Sequence, residues 1–220
     1  MKTYIFAVLA IALMGSFSAH AADTGLNASS LKLKVYKFAV SSSPLCTNLV
    51  TVVDNGTTPS EVNFIGGINL GSGSIANGTY PCVVVEFSDN IKFVPSSNST
   101  SGNCIASTEY TLDVCQSGTS VLIDGTTTTC SNGDNKVAMY LSTASSSTTG
   151  SDAFNAPTQV NDSTKGFNLA SSLTVSGSSS GSFVVSPSGK VCDGVDAGCD
   201  GGGAGAVCRL EPPAFSFSQQ

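Results

Sequence analysis

Cysteine content constrains this chain more than any other feature of its sequence. The only histidine, His20, lies upstream of every cysteine, so the rest of the chain has many thiols and no imidazole. This combination disfavours Cys/His metal sites and Cys/His catalysis, and it favours disulfide bonds formed in an oxidising compartment. The eight cysteines are Cys46, Cys82, Cys104, Cys115, Cys130, Cys192, Cys199 and Cys208.

The first 21 residues have the pattern of a cleavable export signal. Lys2 precedes an apolar run over residues 4–14, and Ala19-His20-Ala21 is a small-residue cleavage sequence. The apolar run is well short of the roughly 20 residues that a membrane-spanning helix needs. We therefore predict a bacterial protein that is secreted, periplasmic or displayed at the cell surface, with no transmembrane segment after signal removal.

The charge balance argues against several partners. The chain has nine basic and fifteen acidic residues, a net charge of −6, and Arg209 is its only arginine. Such a chain is poorly suited to bind nucleic acid or an anionic membrane surface. We expect no nucleic-acid partner and no cofactor, and instead a surface ligand or a protein partner.

Short apolar runs separated by turn signals predict an all-β fold. Residues 31–35 alternate apolar with lysine, and Asp54-Asn55-Gly56 is a strong turn. Residues 79–87 are apolar on both faces, which predicts a central strand. Residues 173–175 and 183–185 are interpreted as a hairpin. The other predicted strands are residues 31–40, 49–53, 62–65, 91–94, 110–114, 121–123 and 136–141.

This spacing favours an antiparallel β-sandwich stapled by disulfides, with a Gly/Cys-rich C-terminal loop region. The expected organisation is a signal peptide at 1–21, a flexible N-terminus at 22–30, the β-sandwich at 31–192, and a C-terminal segment at 193–220 packed on it. The Ser/Thr-rich stretch that begins at Ser142 and runs to Lys165 is expected to be a long exposed loop.

Eight cysteines allow four bridges and 105 connectivities, so the sequence alone fixes no pairing. Cys46 with Cys82 and Cys115 with Cys130 are the favoured pairs. Two of the last three cysteines are expected to pair with each other, which leaves Cys104 a bridge of longer reach. No C-x-x-C spacing is present, so a zinc site is disfavoured.

Two sets of acidic residues are candidate sites. Asp193, Asp196 and Asp200 could offer oxygen ligands to calcium, although their spacing differs from an EF-hand loop and solvated turn residues are the plainer interpretation. A carboxylate pair for sugar hydrolysis could be drawn from Glu61, Glu86, Glu109 and Asp113. Glu86 is the most informative of these because it interrupts an apolar strand.

Tyrosines could form a platform that stacks on sugars, although half-buried packing is the commoner role of a strand tyrosine. The residues concerned are Tyr36, Tyr80, Tyr110 and Tyr140.

Residues 78–85, Gly-Thr-Tyr-Pro-Cys-Val-Val-Val, resemble an element of exported bacterial prealbumin-like β-sandwich domains. The resemblance implies a turn that delivers the chain into a central strand, and it carries over no functional residues. Four disulfides would be a departure from those domains.

The sequence thus favours an exported, non-catalytic bacterial protein of the cell envelope or surface, with an adhesive, structural or ligand-binding role. One alternative is a pilus-type subunit, because Cys46 and Cys82 have a similar spacing to the single pilin bridge and residues 31–40 could serve as a donor strand. The other is a small secreted hydrolase that uses a carboxylate pair.

Overall fold

The computed structural model describes residues 25–65, 75–148, 154–177, 181–194 and 207–219, and the fold of this part is all-β. None of these residues lies in a helix, and they therefore include no helical segment that could cross a bilayer. The predicted signal peptide lies outside the described residues. The strands are β1 Ala28–Ser41, β2 Val50–Asp54, β3 Glu61–Asn63, β4 Gly78–Tyr80, β5 Cys82–Ser88, β6 Asn90–Pro95, β7 Tyr110–Asp113, β8 Thr119–Val121, β9 Thr127–Thr129, β10 Lys136–Ser142, β11 Phe167–Asn168, β12 Leu173–Val175, β13 Gly181–Ser186, β14 Val191–Asp193, β15 Cys208–Leu210 and β16 Ala214–Gln219.

The long strand β1 organises the main sheet. Its C-terminal half pairs with β2 and β5, and its N-terminal half pairs with β3 and β6, in every case antiparallel. β5 and β6 therefore run alongside one edge of β1 as a single interrupted strand. β2 and β3 form a second interrupted strand along its other edge. Residues 31–40, which sequence analysis considered as a donor strand, are already paired with neighbours of their own chain.

A third interrupted strand lies beyond β5 and β6. β10 pairs antiparallel with β5, β7 pairs antiparallel with β6, and the short β11 pairs parallel with β10. The order across the eight-stranded sheet is β11-β10-β5-β1-β6-β7, with β2 and β3 also on β1. The segment between β7 and β10 leaves the sheet and contains the β8–β9 hairpin.

The interruptions of the strands fall at one level of the sheet. β1 shifts register between Val35 and Lys37 there, and Asp89 separates β5 from β6. Asp89 is fully buried and paired with Asn135, which precedes β10. The Asn135 backbone N–H donates to Oδ1 of Asp89 over 2.7 Å and its Nδ2 donates to Oδ2 over 3.0 Å, while the Asp89 N–H donates to the Asn135 carbonyl over 2.9 Å.

Both faces of β5 are buried, as predicted for a central strand. Val83, Val85 and Phe87 belong to the main core, whereas Cys82 and Val84 belong to a smaller apolar cluster on the other face. The smaller cluster is completed by Cys46, Leu122, Ala138 and Tyr140. The predicted single strand over residues 79–87 is in fact two strands. Pro81, which lacks a backbone N–H, separates β4 from β5, and the two have different partners.

The predicted hairpin of residues 173–175 and 183–185 is wrong in its pairing. β12 pairs with β4, and β13 pairs with β16. A long Gly/Ser connection does not fix strand register as a tight turn does, so partners elsewhere decide the pairing. β14 pairs with β15 in a register that continues that of β13 with β16, so the C-terminal region forms an interrupted two-stranded ribbon.

Two expected boundaries also differ. β1 begins at Ala28 and Leu26 bridges Val191, so the end of the segment 22–30 belongs to the folded structure. The C-terminal ribbon begins at Gly181, before the expected boundary at 193.

The Ser/Thr-rich segment that begins at Ser142 and runs to Lys165 is not uniformly exposed. Ser142, Ser145, Ser147 and Asp162 are buried. The Asp162 carboxylate accepts hydrogen bonds from the backbone N–H groups of Thr158, Thr164 and Lys165 and from both threonine hydroxyls. These bonds fold residues 158–165 around the carboxylate, and the Asp162 N–H donates to the Ala144 carbonyl over 2.9 Å, which attaches the segment just after the end of β10.

Asp89 and Asp162 should make opposite contributions to the pH dependence of stability. Burial raises the pKa of Asp89, and nearby Asp113 and Asp134 add to this effect. A raised folded pKa means that the stabilisation is present below the ordinary Asp pKa of about 3.9 and is lost as the pH rises through the folded value. Wild type should therefore gain unfolding free energy relative to Asp89→Asn as the pH falls from about 7 to about 4.

For Asp162 the sign is reversed. Backbone hydrogen bonds from Thr158 and Thr164 hold the pKa of its carboxyl well below the usual range. The stabilisation is then present above about pH 4 and is lost as the pH falls through the folded pKa. Urea unfolding across this range should show the advantage of wild type over Asp162→Asn shrinking in acid. Parallel trends for the two variants would contradict one of the two assignments, and the direction of the shared trend would show which.

Candidate functional site

Three disulfides are present among the described residues. They join Cys46 to Cys82, Cys115 to Cys130, and Cys104 to Cys208. The first two are the pairs favoured by the sequence, and the third is the long-reach bridge of Cys104. Cys192 is disulfide-bonded as well, and Cys199 lies outside the described residues. The described cysteines therefore serve as cross-links.

Glu86 is the sequence candidate with the most unusual environment. It lies on β5, on the face covered by the β8–β9 hairpin, and only 1% of its surface is exposed. Its Oε1 accepts a hydrogen bond of 2.7 Å from the backbone N–H of Ile123, just after β8. No described residue donates a hydrogen bond to Oε2, and the nearest cation is Nζ of Lys136 at 3.8 Å.

The groups around Glu86 favour an anchoring role over an acid–base role. Lys136 is partly exposed and its Nζ lies 5.9 Å from the centre of the Tyr36 ring. The Tyr140 hydroxyl donates to the carbonyl of Val121 over 2.9 Å. Burial, with smaller effects from Glu86 and Asp124, raises the pKa of Tyr140 to about 12. Tyr140 therefore remains a protonated donor, and both it and Glu86 hold the hairpin onto the sheet.

The other three carboxylates considered for sugar hydrolysis have partners of their own. Glu61 contacts Lys92 at 2.6 Å, and Glu109 contacts Lys32 at 2.7 Å and Lys92 at 4.0 Å, which forms a partly exposed ladder of charges. The Lys32 hydrogen bond lowers the pKa of Glu109, whereas a general acid needs a raised pKa. The fourth candidate, Asp113, accepts backbone N–H groups from Cys115 and Gly133.

Asp193, the first calcium candidate, is neither a solvated turn residue nor an open ligand. It is fully buried and binds one loop that precedes β7. Its Oδ2 accepts hydrogen bonds from the hydroxyls of Ser99 and Ser101 and from the backbone N–H of Asn103, and Oδ1 accepts Nδ2 of Asn103 over 2.8 Å. Asp196 and Asp200 lie outside the described residues. In the described parts of the chain, no cluster of His, Cys, Asp or Glu could hold a metal ion.

Three of the four tyrosines considered as a sugar platform are engaged in separate contacts. Tyr80 is buried and donates to the carbonyl of Ala76, and Tyr110 stacks on Phe93 at 5.6 Å while its hydroxyl bonds the loop at Asn103. The Tyr140 hydroxyl donates to Val121 in the β8–β9 hairpin. These three tyrosines pack against their neighbours and have hydrogen-bonded hydroxyls, as the packing interpretation of the sequence predicted.

Sequence reasoning missed two buried acids, Asp89 and Asp162. Both stand in polar triplets, Ser88-Asp89-Asn90 and Asn161-Asp162-Ser163, that indicate turns. A turn signal says that the chain changes direction but not whether the turn is covered by another segment. The Ser/Thr residues near Asp162 were the only available hint, because their N–H and hydroxyl groups suit a carboxylate.

Asp193→Ala should lower the free energy of unfolding by about 2–4 kcal/mol, because several buried donors lose their acceptor. Asp54→Asn, at the exposed end of β2, keeps an acceptor for the Gly56 N–H, so it is the control and should change the free energy of unfolding by less than about 0.5 kcal/mol. Millimolar calcium should leave the melting temperature of the wild type unchanged. A calcium-dependent rise that Asp193→Ala abolishes would show that Asp193 is a ligand after all.

No protein-family model matches this chain, and no curated protein or solved structure matches it. The resemblance of residues 78–85 to prealbumin-like domains therefore remains a prediction. The function must be inferred from the contacts of the chain itself.

Proposed function

We propose that this chain is an exported, non-catalytic protein of the bacterial cell envelope or surface, with a structural, adhesive or ligand-binding role. The observation that carries the proposal is the pattern of cross-links. Bridges join Cys46 to Cys82, Cys104 to Cys208, and Cys115 to Cys130, and each fixes an irregular segment to the sheet or to its immediate neighbour. Such bridges persist in oxidising compartments, which agrees with the export signal in the sequence.

The buried acids support a scaffold role. Glu86 and Asp193 each accept a hydrogen bond from the backbone of a loop. Glu86 accepts the Ile123 N–H, and Asp193 accepts the Asn103 N–H. Rigidly held loops on a β scaffold are where binding residues of such proteins usually lie. The candidate carboxylates Glu61 and Glu109 are likewise occupied by lysines.

Export can be tested directly. The full chain, produced in a bacterial host, should be recovered outside the cytoplasm with its N-terminus at Ala22 and with no thiol that reacts before reduction. Protease treatment of intact cells of the native producer then separates surface display from a periplasmic location. Recovery of an uncleaved cytoplasmic chain with free thiols would refute the proposal.

The two alternatives predict different results. A pilus-type subunit should give a ladder of SDS-resistant polymers. A hydrolase should turn over glycan substrates and lose that activity in Glu86→Gln, while the surface variant Asp54→Asn, which lies outside the four candidate carboxylates, remains active. Under our proposal neither a ladder nor turnover is expected. Glu86→Leu should instead destabilise the fold by about 1–3 kcal/mol, because the Ile123 N–H loses its acceptor.

A further inference from the structure

The outer edge of β10 is paired over only part of its length. β5 pairs with all of β10, from Lys136 to Ser142, but on the other edge β11 pairs only with Leu141 and Ser142. The backbone N–H of Ala138 points to that outer edge, since it donates to a side chain outside the sheet. In the described structure, residues 136–140 therefore have no strand on this edge.

Instead, the edge is covered by residues 115–130, which we call the flap. The Cys115–Cys130 disulfide closes the flap at its base. The Ser120 hydroxyl, which is fully buried, accepts the Ala138 N–H over 2.8 Å. Tyr140 and Glu86 bind the flap backbone at Val121 and Ile123, and Leu122 packs into the smaller apolar cluster.

Neighbouring residues complete the cover. Nδ2 of Asn155 donates to the Thr119 carbonyl over 3.1 Å, which holds the outer side of the flap. Farther along the edge Gly166 lies against β10 with a φ of +64°, and a Cβ there would come within 3.0 Å of the Tyr140 carbonyl. The edge is thus capped by side chains and a close turn.

An uncovered edge of this composition would be prone to pair with another strand. β10 has the sequence Lys-Val-Ala-Met-Tyr-Leu-Ser, with Lys136 as its only charged residue, and unpaired backbone groups on such a strand are a template for association. Natural sheets commonly protect an apolar edge with a loop, a charge or a bulge. Here the flap provides the protection.

We propose that the flap is an edge cap, and that the β10 edge it covers is a latent surface for association with a second copy of this chain. Antiparallel pairing of an edge with itself is self-complementary about a twofold axis. With the axis at Val137, Lys136 faces Ala138 of the second copy, so no like charges oppose each other and Tyr140, against which Gly166 lies, stays outside the pairing.

The first test opens the flap with Cys115→Ser/Cys130→Ser. Light scattering coupled to size-exclusion chromatography should show a dimer whose fraction rises with concentration. The control Cys104→Ser/Cys208→Ser removes a bridge remote from this edge and should remain monomeric. Adding Ala138→Pro to the open variant removes the outward N–H and should abolish the dimer. A folded open variant that stays monomeric, or a dimer that survives Ala138→Pro, overturns the proposal.

The second test keeps the disulfide and so decides the matter if the open variant does not fold. Ser120→Ala/Tyr140→Phe removes two bonds between the flap and β10. Hydrogen exchange at the Ala138 amide should become about tenfold faster or more, while the amides of Val137 and Met139, which face β5, should be unchanged. Unchanged exchange at Ala138 would show that the flap does not protect this edge.

Discussion

The pairing of β1 on both of its edges is the constraint from which the rest of the sheet follows. A strand of fourteen residues spans roughly 45 Å if fully extended. β1 is not regular over this length, because its register with β5 shifts between Val35 and Lys37. The strands beside it break at the same level, between β2 and β3 and between β5 and β6, and such breaks leave backbone groups without ladder partners.

Buried carboxylates accept backbone N–H groups outside the strand ladders, at the break between β5 and β6 and in loops around the sheet. The buried acids among the described residues are Glu86, Asp89, Asp162 and Asp193. Each accepts at least one backbone N–H from a segment outside the ladder, respectively at Ile123, Asn135, Thr158 and Asn103. An irregular segment has N–H groups that neither a strand nor a helix satisfies, and a carboxylate can accept several of them at once. In this chain buried carboxylates thus accept backbone N–H groups that, in a helix, would be accepted by backbone carbonyls.

The regular part of this design could be predicted from the sequence, because alternation and turn residues act locally. The apolar run in β5 predicted a central strand, and the alternation of apolar residues with lysine over residues 31–35 predicted the strand β1. Pairing between distant segments has no such local signal, so the partners of β12 and β13 were missed. Burial of Asp89 and Asp162 was missed for the same reason. Their neighbours look like solvated turns, and only the segment that covers each one makes it buried.

The disulfides follow the same logic as the acids. The Cys115–Cys130 bridge lies where the flap leaves the sheet after β7 and returns to β10, and Cys46–Cys82 ties the segment after β1 to the start of β5. Cys104–Cys208 attaches β15 to the loop that also binds Asp193. Covalent and carboxylate anchors therefore act on the same peripheral segments, while the sheet itself is held by its ladder and core. Loss of a bridge should loosen one peripheral segment and leave the strands paired, so unfolding under reducing conditions should depart from a single two-state transition.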